Sequence, residues 1–392
     1  MTAGKSGGAA PAPSDPADVW ADLVGQEQVV AVLRAAAGGT SMTHAWLFTG
    51  PPGSGRSTAA RAFAAALQCA RGGCAQCESC HTALAGTHAD VQVVNTRTLS
   101  IGVGDARSMV ARAARHPAGG RWQVMVVEDA DRLTEQASNA LLKAIEEPVK
   151  RTVWLLCAPS VDDVPPTIRS RCRHLALRTP PSAAVAEVLV RRDGVDPAMA
   201  AYAARAAQGH IGRARRLATD EQARLRRRDV MALPMSLRRV SDAVNAAGEL
   251  VKAASDDAVD EVGAVSAAEI EDMKRALGVG SGSRQPAGAA AQLKVLEEEQ
   301  KKRATRAKRD GIDRALVDLA GFYRDVLVVQ TGAGVDLVNV ELRDPVTSVA
   351  RHSSPEQTVR RIDAVLRARE QIALNVAPLL AVEAMTVALR AG

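Results

Sequence analysis

The chain of 392 residues has 47% hydrophobic side chains, only 2% aromatics and a formal net charge of +6. That length suits two or three domains, whose cores must be built from Ala, Val and Leu, a composition that favours packed helices. No apolar run approaches the ~18 residues that span a bilayer, and the N-terminus lacks the basic-then-apolar layout of a secretory signal, so a cytoplasmic protein is expected. The modest basic excess is compatible with nucleic acid as a partner and equally with a solvated, mixed-charge surface.

In chain order, residues 1–17 are mostly Gly, Ala, Pro and Ser; they cannot bury a core and are expected to form a disordered tail, with structure starting near Val19. The apolar run Ala45–Thr49 leads directly into a glycine turn, Gly50, Pro51, Pro52, Gly53, Ser54, Gly55, Arg56 and Ser57, and Ser57–Leu67 reads as an Ala-rich helix. Four of the six cysteines follow within twelve residues: Cys69, Cys74, Cys77 and Cys80. A second apolar run, Val124–Val127, ends at Glu128-Asp129, and a third, Val153–Cys157, ends at Ala158-Pro159. Between them Thr134–Glu147 predicts a helix with Leu141, Leu142 and Ile145 on one face, Thr134 as N-cap and Pro148 as its stop. Strands alternating with helices imply a mainly parallel sheet covered on both faces. After Thr179-Pro180-Pro181 come helical segments over 183–191, 197–208 and 211–217, and from Asp220 onward the pattern is wholly helical, with a flexible break at 278–288. Glu297–Glu299 stand four residues before Lys301–Arg303, the favourable order for a long exposed helix.

The glycine turn fits the phosphate-loop spacing G-x-x-x-x-G-x-[ST], with Thr58 next in the helix. Glycines let backbone N–H groups crowd a phosphate, and a helix N-terminus adds its positive end. Ser57 has the hydroxyl that would ligate Mg²⁺. Arg56 stands where the pattern has Lys; its planar fork is no substitute for a compact ammonium, so ATP or ADP binding with impaired turnover is one expectation and a plain Gly-Pro turn the alternative. Glu128-Asp129 inverts the Asp-Glu order of a working P-loop ATPase of this type, and a displacement of ~1 Å in water positioning costs about 10²-fold in rate. The four cysteines suit a closed, tetrahedral, structural Zn²⁺ site without catalytic opening; two other readings are a redox C-x-x-C and chance clustering.

In order along the chain, Gly25-Gln26, the glycine loop, the four cysteines, Ala137–Pro148, Ser170-Arg171-Cys172 and Asn375–Glu383 resemble the clamp-loader branch of AAA+ proteins, densely over 19–220 and thinly over 220–370. That resemblance implies an α/β AAA+ P-loop domain over 18–178 carrying a zinc module at 69–80, a small helical lid over 179–220 and an all-α collar for oligomerisation over 221–392. Four departures bear on nucleotide sensing: Arg56, Glu128-Asp129, Ala158-Pro159, and Gly209-His-Ile-Gly212 with the arginine displaced to Arg213. Together with an intact Ser-Arg-Cys they resemble the delta-prime type of DNA polymerase III subunit, a stator. The resemblance then implies an arginine finger at Arg171 acting in trans, weak or absent ATPase activity of the chain's own, tau/gamma and delta subunits as partners in a heteropentamer, the sliding clamp and primed DNA as partners through that complex, and a nucleoid-associated, cytoplasmic site. The alternatives are an active tau/gamma-like ATPase motor, favoured by the intact loop spacing and Ser57, and a DNA-binding zinc protein, disfavoured by a cysteine loop with only Arg71 as a basic residue and no aromatics.

Overall fold

The computed structural model describes residues 18–95, 100–119, 121–276 and 289–392, so the expected tail at 1–17 and the expected break at 278–288 lie outside the described residues. The described residues divide into two compact units, one formed by those within 18–95 and 101–180, the other by Ser100 with those within 181–392.

The first unit alternates helix and strand: α1 (Glu27–Ala37), β1 (Ala45–Thr49), α2 (Arg56–Gln68), α3 (Glu78–Ala85), β2 (Val91–Val94), α4 (Val103–Ala113), β3 (Gln123–Val127), α5 (Glu135–Glu146), β4 (Thr152–Ala158), α6 (Pro166–Arg169) and β5 (Arg173–Ala176). Its five strands form one parallel sheet in the order β2-β3-β4-β1-β5. Every residue of β1, β3 and β4 is buried, as expected of central strands covered on both faces. Because side chains alternate along a strand, Trp46, Phe48, Val126, Leu155 and Cys157 pack with α2 on one face, whereas Leu47, Met125, Val127, Trp154 and Leu156 pack with Leu141 and Ile145 of α5 on the other. Trp46 meets Phe63 of α2 edge-on at 5.2 Å, so two of the few aromatics sit where one helix is pinned to the central strand.

The three strands expected from apolar runs are present, β1 at the expected bounds, β3 longer by one residue and β4 by two. Two more, β2 and β5, escaped sequence reading because both lie at the sheet edges and are only partly buried; Arg173 and His174 break the apolar signal of β5. Thr134 caps α5 as expected, its hydroxyl accepting from Ala137 N at 3.2 Å.

The second unit contains α7 (Ser182–Asp193), α8 (Pro197–Ala206), α9 (Ile211–Thr219), α10 (Glu221–Ser236), α11 (Val240–Ala276), α12 (Ala289–Thr331), α13 (Arg343–Arg351), α14 (Pro355–Ala373) and α15 (Pro378–Ala391). Among the described residues it has no strand. It holds two apolar clusters, one from α7–α9 around Val185, Leu189 and Leu217, the other from α10–α15 around Phe322, Tyr323 and Val382. Polar bonds stitch the clusters together. Arg227 of α10, 6% exposed, donates to Asp318 (3.0 Å), Glu341 (3.2 Å), Tyr202 (3.3 Å) and Asn339, and Arg213 of α9 pairs with the same Asp318. The expected charge run lies in α12, but Arg303 turns to Glu269 of α11 rather than only along its own helix. No helix among the described residues is long and apolar enough to cross a membrane.

Candidate nucleotide loop, arginine finger and metal centre

The glycine loop leaves the C-terminal edge of β1 and enters α2. Gly50, Gly53 and Gly55 all have positive φ, at 152°, 87° and 92°. A β-carbon on Gly50 would lie 2.5 Å from the Leu177 carbonyl oxygen and 2.6 Å from Ser54 Oγ, so the first loop position admits only glycine. Gln26 holds the loop from beneath: its amide donates to Ser54 O (3.3 Å) and Arg178 O (2.6 Å), and its carbonyl accepts from Arg178 N (3.2 Å). The Ser54 hydroxyl is buried with no hydrogen-bond partner, and one guanidinium nitrogen of Arg56 is likewise buried and unpartnered. An orphaned hydroxyl, an orphaned cationic donor and a helix N-terminus around a glycine turn fit a phosphate group.

The acidic pair follows β3. In the strand order β4 lies between β3 and β1, and the Cys157 thiol of β4 is pushed up first by burial and then by the charge of Glu128. Glu128 is not free to polarise water, because Arg61 of α2 donates to its carboxylate from Nε at 2.7 Å. Asp129 stands 4.0 Å from Arg132. Asp131 is raised above the usual carboxylate range, chiefly by burial and then by the nearby charge of Asp129. Arg61 and Asp131 were not found from sequence; the available signal was that Arg61 lies one helical turn after Ser57 and so shares its face of α2. The displaced arginine of the second unit is occupied too: Arg213 pairs with Asp318, while its backbone N–H donates to His210 Nδ1 at 3.2 Å.

Arg171 lies between α6 and β5. Its guanidinium donates to Thr167 O (2.8 Å) and Ser170 Oγ (3.3 Å) and pairs with Glu146 Oε2 at 3.1 Å, while Nε is buried without a hydrogen-bond partner. The side chain is 34% exposed and Glu146 54% exposed, so this ion pair is solvent-screened. Cys172 beside it is half-buried, its thiol pushed up to about 12 by burial.

The cysteines converge where α2 ends and α3 begins. Their four sulfur atoms lie within 4.8 Å of one another, with Cys69 3.7 Å from both Cys74 and Cys77. Tetrahedral Zn–S bonds of ~2.3 Å place sulfurs about 3.8 Å apart, so the set fits a four-thiolate ion without rearrangement of the chain. Gly72, Gly73 and Ala75 turn the loop through positive φ. Burial opposes ionisation of Cys69, but the backbone N–H groups of Cys74, Gly73 and Arg71 outweigh it and hold that thiol at about 6; burial pushes Cys80 the other way. All six cysteines are free thiols. His88 is engaged elsewhere, accepting from Asp90 N at 3.0 Å.

Among known proteins, residues 25–181 match the family model described as DNA polymerase III, delta subunit. The chain is 36% identical over 177 residues to DNA polymerase III subunit gamma/tau of Mycobacterium bovis, covering 44% of this chain and 31% of that protein. It is 37% identical over 163 residues to DNA polymerase III subunit delta' of Pseudomonas aeruginosa, covering 40% of this chain and 50% of that one. It also aligns with the solved structure of a DNA polymerase III gamma subunit-related protein from Thermotoga maritima, at 17% identity and a TM-score of 0.40, over 93% of this chain and 99% of that one. The chain thus spans half or less of the length of these curated relatives. The glycine loop, the acidic pair and the Ser-Arg-Cys segment all fall inside the matched stretch, and over that stretch the chain is similar to DNA polymerase III subunits of the gamma/tau and delta' kinds.

Proposed function

We propose that this chain is a delta-prime-like stator of a DNA polymerase III clamp loader, which assembles with tau/gamma and delta subunits and lends Arg171 to the ATP site of a neighbouring subunit while hydrolysing little ATP itself. One contrast carries this reading. The chain's own acidic residue Glu128 is neutralised by Arg61 and its displaced arginine Arg213 is bound to Asp318, whereas Arg171 stands partly exposed, its one ion pair solvent-screened and its other bonds made to Thr167 and Ser170 close by in sequence. A planar guanidinium suits bidentate contact with phosphate oxygens, and Glu146 would be exchanged for that phosphate at little cost. Residues 18–178 would act as the AAA+ module, 179–220 as its lid and 221–392 as the collar. Four apolar side chains exposed where α14 gives way to α15, Leu374 and Val376 in the turn and Leu379 and Leu380 at the start of α15, favour the collar as a subunit contact. The cysteines would hold one structural Zn²⁺, fixing the turn from α2 into α3.

Within the chain's own loop, Ser54 and Arg56 would bind phosphate oxygens of ATP or ADP, and Ser57 would face the accompanying Mg²⁺. Such a nucleotide would serve as a wedge that orders the loop. The motor reading keeps one observation in its favour, the unpartnered Ser54 hydroxyl in an intact cradle. The two readings are separated by reconstituting the chain with tau/gamma and delta subunits, sliding clamp and primed DNA. Arg171→Ala is expected to leave assembly intact and to lower stimulated ATPase activity by at least ~10³-fold at the site it completes, the size of finger effects in other P-loop enzymes; Arg171→Lys should restore little. An unchanged rate per complex, or ordinary turnover by the isolated chain that Ser57→Ala abolishes, would move the protein to the motor class.

A further inference from the structure

Helices α11 and α12 run antiparallel. A β-carbon on Gly311 would lie 3.4 Å from that of Ala254, and further along the pair Gln300 Nε2 donates to the Ser266 carbonyl at 2.8 Å. Near Ala254 both helices are set in the apolar cluster of the second unit: Leu250 and Val251 of α11 and Ile312, Leu316 and Leu319 of α12 are buried there. Beyond it the pair continues over 255–276 and 289–310, about 30 Å of helix. None of the described side chains in that stretch is buried. Ile270, Met273, Leu293 and Leu296 are only partly covered, and Val295 is 57% exposed. Surface helices gain most of their stability by burying an apolar stripe, and here the stripe has no full cover.

Charge says what kind of cover fits. Over 255–276, α11 carries seven carboxylates against two basic residues, whereas over 289–310 α12 carries seven basic residues against four carboxylates. The two helices therefore have opposite sign. Duplex DNA would be repelled by α11, and a helix of a single sign would suit only one of the pair. Another pair of the same kind matches both, provided that each helix faces its opposite. Symmetry then selects the arrangement. A two-fold axis parallel to the helices lays α11 of one copy over α12 of the other, and the two remaining choices of axis set like-charged helices against each other. This axis also preserves height along the arm. Continuing the register of Ala254 with Gly311 and Ser266 with Gln300 sets Glu271 level with Val295, beside Lys294. Glu271 and Lys294 are both exposed.

We propose that residues 255–276 and 289–310 form a docking arm for a second copy of this chain, the two arms lying side by side as a four-helix bundle about a two-fold axis parallel to the helices. The proposal does not depend on the clamp-loader reading. In sedimentation equilibrium the full chain should be a dimer at about 10 μM, a concentration at which interfaces of ordinary size hold. Lys294→Glu and Glu271→Lys should each weaken that dimer about tenfold, because symmetry repeats each like-charge contact. An equimolar mixture of the two variants should regain the association of the unaltered chain. In the mixed pair one contact is native and the other is the same contact with its charges exchanged. Such recovery also shows that both variants are folded. A monomer at that concentration, a dimer indifferent to both substitutions, a mixture no tighter than either variant alone, or duplex DNA binding that Lys294→Glu abolishes in place of self-association would each overturn the proposal.

Discussion

Helix α2 carries a candidate site at each end, and the two are built in opposite ways. At its C-terminal end Cys69 begins a metal-type cluster whose four donors come from twelve consecutive residues and already face one another. At its N-terminal end the glycine loop depends on distant segments: Gln26 beneath it, Leu177 and Arg178 beside it, and the carboxylates after β3. A local cluster is changed only by altering its own residues. An assembled one can be altered by a single side chain elsewhere, as where Arg61 pairs with Glu128.

The largest expected effect belongs to the cysteine end. Cys77→Ser should lose the bound metal and several kcal/mol of stability, given that structural zinc contributes directly to folding; elemental analysis and a thermal melt measure both. Metal-free protein with undiminished stability would break the comparison at once, leaving α2 with only one site. Next comes Gly50→Ala, which meets a carbonyl oxygen at 2.5 Å and an unfavourable φ of 152°; a loss of about 2–3 kcal/mol is expected in chemical denaturation. Gly39→Ala is the control: its φ is 93° but nothing lies within 4 Å of the added carbon, so about 1 kcal/mol is expected. A smaller effect tests that pairing. Arg61→Met should release Glu128 and tighten Mg²⁺-dependent nucleotide binding about fivefold, the equivalent of ~1 kcal/mol, with metal content at the other end of α2 unchanged. No change in calorimetric titration would mean that Arg61 is not what disables the acidic pair. The smallest effect is on stability in Arg171→Ala, within ~0.5 kcal/mol because the pair with Glu146 is well exposed. A substantially larger loss would recast Arg171 as a structural tie.

The same contrast sorts what could be read from sequence. The cysteines, the glycine loop and the three central strands were legible because their determinants are consecutive: bunched thiols, a glycine spacing, unbroken apolar runs. Thr134 announced α5 for the same reason. The edge strands were not legible, since Val91–Val94 is short and mostly only partly buried, and Arg173–Ala176 alternates partly buried with exposed residues and carries mixed side chains. Nor was the salt bridge between Arg61 and Glu128, whose partners are 67 residues apart; the sequence showed an inverted acidic pair but not the guanidinium that neutralises it.

Gln26 gives the nucleotide loop a history as well as a shape. Its amide joins a residue near the start of the unit to Arg178, 152 positions later. Contacts of such high order are costly to close and form late. On the ribosome, the loop at residues 50–57 would emerge long before the segment that completes its support. It would remain unfinished until the last strand had left the exit tunnel, and would then be set together with the sheet edge that bears Arg171. The glycine loop and the segment carrying Arg171 would therefore become ordered in the same folding event, so that an incomplete chain would present neither.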